Sequence, residues 1–121
     1  MLSALIQSAA RFSGHRRLDN LVLLVDNNHM QADGATEDVM NVEPVPEKLQ
    51  AFGFAARRID AHSITEILTA FSDARATLGH PTARVCETLP GKGVPSLELN
   101  SKVHYIRGPS VLWERALAEL G

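Results

Sequence analysis

The residues best suited to chemistry crowd into one short stretch, Asn20 to Gly34, which reads NLVLLVDNNHMQADG. An apolar run, Leu21 to Val25, ends abruptly in Asp26-Asn27-Asn28, and Asp33-Gly34 follows. Carboxylates, carboxamides and the His29 imidazole are groups that suit a hard cation or a phosphate. Mg²⁺ takes oxygen ligands in an octahedron, usually one or two from the protein and the rest from phosphate and water. Asn28 and a nearby backbone carbonyl would make part of such a shell. Two other stretches carry similar potential. Asp60-Ala61-His62-Ser63 is a polar turn, and Thr88 to Gly93, TLPGKG, places Gly91 and Gly93 either side of Lys92. A glycine-bracketed loop lets backbone amides approach a phosphate. His104 stands among few apolar residues and is a further candidate. Each also has a plainer reading. Asn is common in the turn after a strand, the glycine loop suits an ordinary connection, and His62 suits a solvated turn.

The elements that must position these groups are legible in order. Leu2 to Ser13 carries apolar residues at helical spacing, and Gly14 reads as its stop. The Leu21 to Val25 run lacks alternation and is bounded by turn formers, which suits a strand buried on both faces of a parallel sheet. In open parallel sheets, ligands bind outside the carboxyl ends of the strands. Asp26 to Val42 is a long polar connection. Pro46-Glu47 opens a short helix to Phe52, and Gly53 ends it. Phe54 to Ile59 reads as a second strand. Ser63 and Glu66 make a capping box for a helix to about Leu78, with Ile64, Ile67, Leu68 and Phe71 as its core stripe. Thr82 to Glu87 is a third strand, Leu97 to Arg107 is irregular, and Ser110 to Leu120 is a final helix with Leu112, Ala116, Leu117 and Leu120 on one side. The alternation predicts an α/β fold, part of a three-layer α/β/α arrangement with a mostly parallel sheet. Three loops, at Asp26, Asp60 and Thr88, are expected at one sheet edge.

At 121 residues the chain is about one domain, and 45% hydrophobic composition is enough for a core. A formal net charge of −2 marks neither a nucleic-acid binder nor a polybasic membrane binder. No segment approaches the ~20 apolar residues of a membrane span. The single cysteine, Cys86, excludes an intramolecular disulfide and fits a reducing, cytoplasmic setting. The first 17 residues have Ser and Arg but no acid, as transit peptides do. They run straight into the first strand, which favours an ordinary amphipathic helix.

Four blocks, LDNLVLLVDNNHMQADG, KLQAFGFAARRIDAHSITEI, HPTARVCETLPGKGV and KVHYIRGPS, together resemble the thiamine-diphosphate-binding domain of transketolase. They are most similar to the separate N-terminal subunit of split bacterial transketolases. The resemblance runs from about Ala9 to Leu120. The first block resembles the second half of the thiamine-diphosphate motif, which in the family begins Gly-Asp-Gly and closes with Asn after a strand. It implies that the Asn28 side-chain oxygen and the Met30 carbonyl hold a Mg²⁺ or Ca²⁺ that bridges the cofactor's diphosphate. It implies that Asp33-Gly34 shape the turn beside the site. His62 falls in the family's Asp-Gly-His stretch, and Lys92-Gly93 in its Lys-Gly-Lys-Gly stretch. His104 matches the active-site histidine near diphosphate and substrate, and so is both the catalytic and a cofactor-binding candidate. The implied reaction moves a two-carbon ketol unit between sugar phosphates, as in the pentose phosphate pathway. The implied partner is a C-terminal, pyrimidine-binding subunit, in a dimeric or heterotetrameric assembly.

The departures from the family are specific. Gly-Asp-Gly is absent from these residues, so residues 1–121 read as a single partial domain, truncated before that half of the motif. Gln7-Ser8 stand where the family has Trp-Glu, and Tyr105 where a Gly follows the His. The glutamate that activates the cofactor belongs to a domain outside these residues. On this reading the isolated chain does not turn over substrate. Three alternatives remain: a deoxyxylulose-phosphate-synthase-like thiamine enzyme, a non-catalytic remnant, and a phospho-acceptor receiver domain. Arg57, Arg58 and the Ala-His after Asp60 argue against the receiver.

Overall fold

A computed structural model describes residues 4–31, 34–35, 38, 41–98 and 107–121. The chain forms α1 (Ala4–His15), β1 (Val22–Asn27), the two-residue strands β2 (Met30–Gln31) and β3 (Gly34–Ala35), α2 (Val45–Ala51), β4 (Ala55–Asp60), α3 (Ile64–Ala76), β5 (Thr82–Glu87), α4 (Pro95–Glu98) and α5 (Ser110–Glu119). The described residues fall into two compact units. Met1–Asn27 with Val42–Glu87 is one, and Asn28–Asn41 with Thr88–Gly121 is the other.

The first unit is built on a parallel three-stranded sheet in the order β1-β5-β4. The expected α/β class and parallel sheet are therefore present. Residues 81–85 are all buried, because β5 is the central strand and helices cover both its faces. On one face Ala83 and Val85 pack with Ala10 of α1, with Val45 and Leu49 of α2, and with Phe54; Leu23 and Val25 of β1 close the cluster. On the other face lies α3. Its backbone is joined to β5 by Arg84, which is only 4% exposed. The Arg84 guanidinium donates to the Ala70 carbonyl of α3 from Nε at 3.3 Å and Nη2 at 3.2 Å. Its Nη1 donates to the carbonyls of Ala55 (3.1 Å) and Ala83 (3.0 Å). A buried cation is tolerated only when its donors are met, and here carbonyls meet them.

Arg84 explains why the expected stripe on α3 is wrong. Ile64 and Leu68 are 69% and 66% exposed, Phe71 is exposed, Ile67 alone of the four is half-buried, and the buried residues are Ala70 and Ala74. Small side chains are what let the helix backbone come within hydrogen-bonding reach of the guanidinium. The start of α3 is half of the expected capping box. The Ser63 hydroxyl accepts from the Glu66 N–H, but the Glu66 carboxylate accepts from the Asp60 N–H rather than from Ser63. That helix ends at Ala76, two residues early.

Gly14 is also not a stop. It lies inside α1, which continues to His15. A Cβ at Gly14 would stand 1.6 Å from the Phe52 carbonyl oxygen. Phe52 and Gly53 form the turn after α2, where Gly53 has φ of +92°. The residue needed no side chain because two backbones touch there. β1 likewise runs two residues past Val25, through Asp26 to Asn27, and it is not the doubly buried strand expected: it is an edge strand of the described sheet, with Leu24 54% exposed.

The second unit contains the β2–β3 hairpin, with Met30 opposite Ala35 and Gln31 opposite Gly34. It also contains α4 packed on α5, where Val94 and Ala116 are buried and the Ser96 N–H donates to Glu119 at 2.9 Å. Leu117 and Leu120 of α5 are exposed, so its expected apolar side is only partly used. No helix among the described residues is long and apolar enough to cross a membrane.

Gly14→Ala sets two effects against each other. Alanine gains about 1 kcal/mol of helix propensity over glycine, while a clash with fixed backbone costs more than ordinary overpacking at about 1–3 kcal/mol. We expect net destabilisation of at least about 2 kcal/mol in urea denaturation. A more stable Gly14→Ala would show that the α1–α2 contact yields freely.

Candidate functional site

The carboxyl ends of the three parallel strands are in register: Asn27 of β1 pairs with Glu87 of β5, and Glu87 with Asp60 of β4. The Ala61 N–H donates to the Glu87 carbonyl at 3.0 Å and extends that edge by one residue. The loops after Asn27, Asp60 and Glu87 thus all start at one end of the sheet, as expected.

The strand end is clamped by charges. Asn27 is buried, and its Nδ2 donates to Glu87 Oε1 at 2.9 Å and to Glu43 Oε1 at 3.3 Å. Arg58 of β4 forms salt bridges to the same two carboxylates, through Nη1 to Glu87 and Nη2 to Glu43. The Glu43 carboxylate also accepts from the Val45 N–H at 2.9 Å, at the start of α2. Lys48 of α2 donates to the carbonyls of Val42 (2.8 Å) and Glu43 (3.1 Å). Burial alone would raise the Glu43 carboxyl; the Val45 N–H, Arg58 and Asn27 outweigh it and hold it below the usual carboxylate range. The Arg58 side chain is 39% exposed. Ion pairs at such exposure are worth about 0–1 kcal/mol each, so this network is better suited to fixing geometry than to holding the fold. Periodicity does not reveal it. The only signal was Arg58 facing away from Arg57, on the side of the sheet where Glu87 would fall.

Directly after Asn27 comes a tight turn. Asn28 Oδ1 accepts from the Met30 N–H at 3.0 Å, and His29 between them has φ of +55°. Side-chain acceptance two residues on is the Asx turn. The left-handed residue is His29 rather than either asparagine. The turn brings a carboxamide oxygen into the same short loop as the Met30 backbone. Both are neutral hard oxygen donors of the kind Mg²⁺ accepts. Among the described residues there is no group of three or more His, Cys, Asp or Glu that could hold a metal ion.

The other expected site residues are placed differently. The His62 N–H donates to Asp60 Oδ1 at 2.8 Å, and the residue is exposed in the turn after β4. The 88–94 loop turns its amides inward. The Lys92 N–H goes to the Leu89 carbonyl (3.1 Å), the Val94 N–H to the Gly91 carbonyl (3.0 Å) and the Gly93 N–H to the Glu98 carboxylate (2.8 Å). A carboxylate of the chain itself thus holds the amide a phosphate would need. Cys86 is half-buried, and burial together with Asp26 and Glu87 pushes its thiol up, away from the reactive thiolate. Asp33 and His104 lie outside the described residues.

A parallel sheet with polar loops at its carboxyl ends defines an α/β ligand-binding class. Residues 2–109 match the family model described as transketolase, thiamine diphosphate binding domain, and the chain belongs to that family. It is 37% identical over 115 residues to the 6-deoxy-6-sulfo-D-fructose transketolase subunit of a Clostridium species, covering 95% of this chain and 42% of that protein. It is 30% identical over 115 residues to an apulose-4-phosphate transketolase subunit from Phocaeicola vulgatus, covering 95% and 41%. The crystal structure of transketolase from Campylobacter jejuni superposes with a TM-score of 0.85 at 25% identity, over 98% of this chain and 18% of that one. The chain therefore spans about two-fifths of the subunit relatives it matches. Membership of this family sets the receiver-domain alternative aside.

The lowered Glu43 carboxyl fixes the sign of one pH effect. A carboxylate with a depressed folded-state value contributes stability above its unfolded value and loses it as pH falls through the folded value. We expect thermal stability to fall on acidification from about pH 7 to about pH 3, with part of that slope missing in Glu43→Gln. Equal slopes in both proteins would mean that the clamp carries no proton linkage.

Proposed function

We propose that this chain is part of the thiamine-diphosphate-binding domain of a transketolase-type enzyme, one that moves a two-carbon ketol unit between sugar phosphates. The observation that carries the reading is the turn from Asn28 to Met30 at the carboxyl end of β1, in a chain matched to the family over residues 2–109. In this reading residues 1–121 are one partial domain. The Asn28 side-chain oxygen and the Met30 carbonyl hold Mg²⁺, or Ca²⁺ in its place. The chemistry of the donor set supports this: both groups are neutral oxygens that need no proton removed before binding. His104 acts near the diphosphate and the substrate, as the motif match implies. When bound, thiamine diphosphate supplies the carbanion chemistry, and the protein supplies position and electrostatics.

The chain does not do this alone. The family's Gly-Asp-Gly has no counterpart among residues 1–121, so the metal shell they offer is one carboxylate short. The two relatives above are named as transketolase subunits, which supports a separate pyrimidine-binding partner and an assembly of two or more chains. Cys86 as the single cysteine fits a cytoplasmic setting.

A second reading, a non-catalytic remnant, is favoured by one observation: the Gly93 amide is held by Glu98 rather than left open to an anion. Calorimetric titration of thiamine diphosphate with Mg²⁺ into the chain separates the two. We expect binding that requires the metal and weakens at least roughly tenfold in Asn28→Ala. A folded chain that takes up neither cofactor nor metal would favour the remnant.

A further inference from the structure

Residues 28–41 leave the first unit at Asn27 and return to it at Val42. Both junctions are held by one set of charges. Asn27, at the exit, donates to Glu43, next to the return, and both are tied to Glu87 or Arg58. Lys48 fixes the returning segment a second time through the Val42 and Glu43 carbonyls. Arg58 is the only cation among these contacts that touches two carboxylates at once, so it joins the ends of β4 and β5 to the returning chain. The turn that begins at Asn28 starts one peptide bond from the clamped Asn27.

We infer that Asn27, Glu43, Arg58 and Glu87 are positioning residues for the turn from Asn28 to Met30: by pinning both ends of the 28–41 excursion they hold the Asn28 oxygen in the conformation that accepts from Met30. This rests on the proposed cation role of Asn28 for its functional meaning, though not for its physical content. None of the four touches the cation in this account. Loop closure explains why a pair of pinned ends matters. Side chains that hold the residues flanking a loop narrow the conformers those residues sample, and a ligand that needs one conformer binds in proportion to that conformer's population.

The test is amide hydrogen exchange by NMR on the full chain, free of ligand. The variants are Arg58→Met, which keeps the stem and removes the guanidinium, and Arg58→Lys, which keeps one charge but cannot bridge two carboxylates in a fork. The reporters are the Met30 amide and, as control for the sheet, the Val85 amide. We expect Met30 exchange to quicken at least roughly tenfold in Arg58→Met, with Lys in between and Val85 unchanged. Unchanged Met30 exchange would overturn the inference. So would equal acceleration of Met30 and Val85, because Arg58 would then act on the whole sheet. Titration of Mg²⁺ with thiamine diphosphate into the same proteins keeps the two proposals apart. A wild-type chain that binds neither contradicts the cofactor reading, while the exchange result still decides the clamp.

Discussion

The constraint on which this structure depends is the double-sided burial of β5. A buried cation in a central strand is costly unless its donors are met, and Arg84 places a guanidinium in the middle of β5. The carbonyls of Ala55, Ala70 and Ala83 answer that demand. Doing so fixes the depth of α3, whose fully buried residues are the alanines Ala70 and Ala74. On the opposite face Ala83 and Val85 require α1 and α2, and the α1–α2 approach requires Gly14. Most of the first unit follows from one strand and its cation.

The same strand sets the polar end of the sheet. Parallel pairing to β1 and β4 brings Asn27, Glu87 and Asp60 level. Two strand ends with polar side chains on one face need a counter-charge. Arg58 supplies it from β4, and Glu43 reaches in from the connecting segment. The energy involved is small, since the side chains are partly exposed. The geometric consequence is larger: the chain enters and leaves its long polar excursion at defined points, and the Asx turn at Asn28 begins from a fixed residue. Stability and positioning are thus assigned to different groups, Arg84 below and Arg58 at the rim.

The sequence was most legible where burial alone decides. The bounds of β5 match the reading from Thr82 to Glu87, and the parallel α/β class holds; the apolar run of β1 forms a strand, but an edge strand with Leu24 exposed rather than one buried on both faces. It misled where two elements touch. Gly14 looks like a helix stop because glycine often is one, yet its role is a backbone contact with Phe52, nearly forty residues away. Ile64, Leu68 and Phe71 look like a core stripe because they are large, but the guanidinium beneath α3 selects Ala70 and Ala74. Asn28 stands out both from the polar turn that ends the apolar run and from the motif resemblance, and its Asx turn is a local feature. The clamp is not, because Glu43 meets Arg58 across a sheet edge that no local pattern encodes.

The claim at the centre of this account is that the oxygens of the turn from Asn28 to Met30 are cation ligands. Paramagnetic broadening tests it directly. Mn²⁺ with thiamine diphosphate, added in small amounts to the labelled chain, should broaden the Asn28 side-chain amide and the amides flanking Met30 before any other signals, and excess Mg²⁺ should restore them. Broadening confined to carboxylate-rich surface elsewhere, with the Asn28 and Met30 signals sharp, would contradict it.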